Sequence, residues 1–149
     1  MNAETDRKMA CLREKGLYLS TPTGRSMRPL FKGKNETVVI SPVGTPKRGD
    51  VLLYESTRGK QILHRVIRVT PEGYLMRGDN CPGTEPLLTP DRVIGRMTAF
   101  WRGERYTDCE TSRLYRLYAR LWPATYPLRA PFLWMRARLA ALLRRCKKR

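Results

Sequence analysis

The sequence predicts a mainly β domain, with a short polar helix in front of it and a basic helical tail behind it. Three observations carry this prediction. Between Leu17 and about Tyr106, short apolar runs alternate with turn residues. Before that stretch the chain is charged throughout, MNAETDRKMACLREK. After it, residues 111–149 contain eleven Lys and Arg and no Asp or Glu, with apolar residues at helical spacing. The 149 residues suit one domain with an appendage, and an apolar content of 41% is enough for a core. The divisions fall at 1–16, 17–108 and 109–149.

Residues 1–15 read as the polar helix. Thr37–Ile40, Val51–Tyr54, Ile62–Val69, Tyr74–Met76 and Val93–Trp101 each have strand length. Ser41-Pro42, Lys47-Arg48-Gly49-Asp50, Pro71-Glu72-Gly73 and Pro82-Gly83 separate them with turn chemistry. Short strands at this spacing indicate an antiparallel barrel or sandwich, not βαβ units. In the tail, Leu114, Leu117, Tyr118 and Leu121, then Leu133, Ala137, Ala140 and Leu143, recur at helical spacing. Pro123, Pro127 and Pro131 should divide this region into two helices with a bent joint.

Thirty Lys and Arg against thirteen Asp and Glu give a net charge of +17. Such a surplus favours an anionic partner: nucleic acid, an anionic membrane surface or an acidic substrate. The four cysteines, at 11, 81, 109 and 146, have no C-x-x-C spacing, and the single histidine cannot complete a Cys/His metal set. No metal or organic cofactor is expected. Free thiols in a reducing cytosol are the simplest reading. With neither a signal-peptide core nor a run of about 20 apolar residues, a cytoplasmic location is expected.

Peptide hydrolysis by serine needs a hydroxyl with a base beside it, a partner that orients the base, and donors for the oxyanion. Gly24-Arg25-Ser26-Met27-Arg28-Pro29 offers a nucleophile loop. Gly24 lets the backbone approach a substrate carbonyl, and Pro29 stiffens the chain beyond Ser26. Taken alone, the loop is more commonly an ordinary turn. His64, the only imidazole, lies in Ile62-Leu63-His64-Arg65-Val66-Ile67 and suits a base near neutral pH. On position alone it is more commonly a partly buried strand residue. Asp79, in Gly78-Asp79-Asn80, either orients His64 or caps its own turn, and Glu85 is a weaker substitute for the first role.

Taken in order, G-x-S-M-x-P, K-R-G-D-V-L-L-Y, I-L-H-R-V-I, R-G-D-N and V-I-G-R-M resemble the type I signal peptidase and repressor-peptidase superfamily over roughly residues 17–103. A histidine at position 64, where bacterial signal peptidases carry a lysine, is most similar to the archaeal and endoplasmic-reticulum branch. The resemblance implies a signal-peptidase-like β fold around a substrate groove, with Ser26 as nucleophile and His64 as its base. It also implies that Asp79 sits near His64 and that Arg65 and Asp50 serve structure. Substrate would lie as an extended strand beside Gly24, Arg25, Met27 and Pro29. Two family features differ here: the hydroxyl two residues before the nucleophile is Gly24, and the acidic residue after Gly33 is Lys34.

The function implied is a serine endopeptidase acting on a precursor, leader or signal-like peptide. The alternative is a non-catalytic module on the same fold that binds peptide, membrane or nucleic acid. The tail has two readings of its own. Its arginines and aromatic residues suit an anionic membrane surface, giving peripheral association. Or its apolar stripe packs on the domain and the arginines are solvated. Nucleic acid fits less well, because no known reading motif accompanies the charge.

Overall fold

The computed structural model describes residues 2–33 and 35–146; Lys34 lies outside them, as do the last three residues of the basic tail. Helix α1 (Ala3–Lys15) opens with Asn2, whose side chain accepts from the Thr5 N–H, and closes at Gly16 in the left-handed conformation. Seven strands follow: β1 (Tyr18–Ser20), β2 (Glu36–Ser41), β3 (Val51–Glu55), β4 (Gln61–Thr70), β5 (Gly73–Arg77), β6 (Val93–Arg102) and β7 (Arg105–Asp108). All five expected strands are present, each extended by a residue or more. The short β1 and β7 were not expected, since three or four residues leave too little alternation to read.

The strands form one antiparallel sheet in the order β1-β2-β6-β3-β4-β5, with β7 beside the end of β6. This replaces the barrel or sandwich with a single seven-stranded sheet. Long β6 makes the difference: from Arg96 to Arg102 it pairs with β2 on one side, and it pairs with β3 and then β7 on the other. Strand β3 is buried along its whole length. Val51 and Leu53 enter a cluster with Phe31, Ile40 and Phe100, while Leu52 and Tyr54 enter another with Val66 and Met76. The strand thus separates two apolar clusters, and His64 stands opposite Leu52 on neighbouring β4.

The tail forms α2 (Arg113–Ala124), capped by Ser112, and α3 (Tyr126–Cys146), with a single joint at Thr125. Three prolines make only one break. Pro127 falls in the first turn of α3, where its missing N–H has no intrahelical partner to lose. The predicted stripe divides between two surfaces. Leu133 is buried and Tyr118 half-buried, but Leu114, Leu117, Leu121 and Leu143 are exposed, and it is Tyr115, outside the predicted stripe, that enters the core against Phe100. Among the described residues, no helix is long and apolar enough to cross a membrane.

Candidate active site

The chain between β1 and β2 is anchored by residues just after Ser26. Met27, Leu30 and Phe31 are buried, and the Phe31 N–H donates to the Met27 carbonyl at 3.0 Å. Held there, the loop leaves Gly24, Arg25 and Pro29 exposed and Ser26 half-buried. Met27, expected among the substrate contacts, is instead buried in the apolar cluster with Leu30 and Phe31. A Cβ on Gly24 would stand 3.9 Å from both the N and Oγ of Ser26, so this position directly flanks the hydroxyl.

His64 is 4% exposed. Its Nδ1 lies 3.3 Å from the Tyr54 hydroxyl and 3.7 Å from Glu85 Oε1. Burial lowers its pKa from 6.5 to about 4, opposed in part by the charge of Asp79. The imidazole is therefore neutral at ordinary pH. Burial likewise raises the Tyr54 pKa, with Glu85 adding to the effect, so Tyr54 stays a neutral hydroxyl.

Gly78 brings the two residues together. A Cβ built on it would stand 2.8 Å from the Ser26 carbonyl oxygen, 2.9 Å from His64 Nε2 and 2.7 Å from Cys81 Sγ. No side chain fits in that space. The imidazole nitrogen and the Ser26 carbonyl oxygen thus both border the space beside the bare Cα. The Asn80 N–H donates to the Ser26 carbonyl at 2.7 Å, and its side-chain amide donates to Arg25 O at 3.0 Å. Among the described residues, neither Ser26 Oγ nor His64 Nε2 has a hydrogen-bond partner, so both atoms are uncommitted.

Asp79 has a different task from orienting His64. Both its oxygens face the buried Arg65, with Nε to Oδ1 and Nη2 to Oδ2 at 2.7 Å each. Tyr118 donates to Oδ2 at 2.8 Å. With three donors on it, the carboxylate acts on His64 only through its field. The groups beside Nδ1 are Tyr54 and Glu85. Arg65 also donates to the Gly49 carbonyl at 2.8 Å, while Asp50 accepts from the Lys47 N–H at 3.0 Å and lies 3.8 Å from Arg96.

The tail closes the arrangement from behind. The Asp79 carbonyl accepts from Trp122 Nε1 at 3.0 Å and Arg129 Nη1 at 3.1 Å. Tyr126 donates to the Pro82 carbonyl, and Arg136 to Asn80 Oδ1 at 2.7 Å. Sequence reasoning missed Tyr54, Gly78 as a contact point, and this clamp. The first two lie inside motifs already singled out; the clamp joins residues about 40 to 56 positions apart and leaves no local signal.

No protein-family model matches the chain, and no curated protein is significantly similar to it.

Proposed function

We propose that this protein is a serine endopeptidase in which Ser26 attacks the scissile carbonyl and His64 is its general base. The observation that carries this reading is that His64 Nε2 and the Ser26 carbonyl oxygen both border the space left by the missing side chain of Gly78, with Ser26 Oγ and His64 Nε2 free of other hydrogen bonds among the described residues. For Nε2 to accept the Ser26 proton, Nδ1 must carry the other one and donate it towards Tyr54 or Glu85. Oγ then bonds to the carbonyl carbon, and the oxyanion is met by backbone donors of the Gly24–Ser26 turn. The imidazolium, opposed by burial, is supported by Glu85 and by the charge of Asp79. It gives its proton to the leaving amine as the C–N bond breaks, and water, deprotonated by the same base, releases the acyl group.

The substrate class is a precursor, leader or signal-like peptide bound as an extended strand, with Gly24, Arg25 and Pro29 on the exposed side of the loop. This reading, including the signal-peptidase-like character of the fold, rests on the motif order in the sequence. A cytoplasmic location fits the free thiols of Cys11, Cys81 and Cys109. The test is a comparison of peptide N-termini in native cells carrying wild type or Ser26→Ala. New termini dependent on Ser26 are expected, and they identify the substrate and cut together. With folded Ser26→Ala present and no terminus changed, the peptidase reading fails. The net charge of +17 then favours a binding module, recognised by salt-sensitive binding indifferent to Ser26.

A further inference from the structure

We infer that the outer face of the α2–α3 arm docks on an anionic lipid surface. The inner face of the arm is spoken for. Tyr115, Tyr118 and Trp122 of α2, with Tyr126, Arg129 and Leu133 of α3, pack on the domain or donate to its loop. The outer face carries large apolar side chains with no such use. Leu128 is 85% exposed and Phe132 60%, and Met135, Leu139 and Leu142 continue the row at alternating steps of four and three residues. That spacing keeps them on one side of α3 for about 20 Å. Leu117 and Leu121 expose the same kind of surface on α2. A row this long is more than the scattered apolar residues a soluble surface normally shows.

Charge decides what covers it. Exposed Arg113, Arg116 and Arg120 border the leucines of α2, and Arg138 borders the row on α3. No acidic residue occurs anywhere in 111–149. A second copy docking through this spacing would set arginine against arginine where paired helices need opposite charges. Nucleic acid would satisfy the arginines and leave the leucines and phenylalanine in water. An anionic bilayer takes both, with the apolar row below the headgroups and the guanidinium groups on the phosphates. Half-exposed Trp134, whose ring reaches Gly83 behind the site, suits the headgroup level. The inference is independent of catalysis, but it adds a location to it: the face opposite the lipid row holds the loop of Gly78 and Asp79.

The test is sedimentation of the full chain with vesicles of phosphatidylcholine alone or mixed with phosphatidylglycerol. Binding to the mixed vesicles is expected, weakened by salt, and equally strong for Ser26→Ala. Each of Arg113→Gln and Arg120→Gln should lower the partition coefficient about fivefold. Leu128→Glu with Phe132→Glu should lower it at least tenfold, with an unchanged melting temperature because both positions are exposed. Should that pair unfold the protein, Leu139→Glu alone on α3 asks the same question. The inference is overturned by any of three results. These are no preference for anionic vesicles, binding indifferent to the apolar row, or a stable dimer or RNA complex that excludes vesicles.

Discussion

At the scale of single residues, the site depends on one missing side chain. Gly78→Ala would force a methyl group into a space bounded at 2.7–2.9 Å by Cys81, Ser26 and His64. The backbone oxygen cannot yield without moving Ser26, so the imidazole and the serine must separate. A loss of at least about a hundredfold in kcat/KM is expected for a displacement near 1 Å, with the sheet still folded. Turnover of a peptide spanning the identified cut, together with circular dichroism, checks both halves. The histidine makes a second prediction. Its folded pKa is about 4, below the ordinary 6.5. Above pH 6.5 neither folded nor unfolded chain holds the proton. As pH falls, the unfolded chain takes it first, so stability declines until about pH 4, where the folded chain takes it too. The loss over that window is about 3 kcal/mol. Urea unfolding between pH 7 and 4 should show this slope in wild type and lack it in His64→Gln, and the acid limb of kcat/KM should lie near 4.

At the scale of elements, the arm and the sheet meet at Asp79. Tyr118→Phe removes one donor from a buried carboxylate that keeps its two bonds to Arg65. A hydrogen bond to a charged group contributes about 1.5–3 kcal/mol, so a loss of this size is expected in denaturant titrations. The five longer strands were legible because each is an apolar run bounded by Gly, Pro or Asp, and the tail helices because their apolar residues repeat at helical spacing. Which side of α2 faces the domain was not legible. Leu117 and Tyr118 are neighbours in sequence, and both satisfy the same spacing. The aromatic residue won because its hydroxyl reaches Asp79, while leucine has nothing to offer a buried carboxylate. Asp79 itself was readable as a residue of consequence, but its partner was not. Arg65 lies beside His64 in one motif, yet neighbouring strand residues point to opposite faces, and periodicity does not say which of them the next loop will meet.

At the scale of the whole molecule, Ser26, His64 and Gly78 come from three separate segments, and two apolar clusters on either side of β3 hold those segments in register. The clamp on the Gly78–Pro82 loop comes from a fourth, made of Tyr118, Trp122, Arg129 and Arg136. A chain is synthesised from its N-terminus, and its parts can associate only once they exist. Ser26, His64 and Gly78 are therefore all made before the side chains that fasten the loop of Gly78. On the ribosome the sheet has its strands while the loop still lacks its clamp. The order of translation thus delays the finished site until the arm has been made.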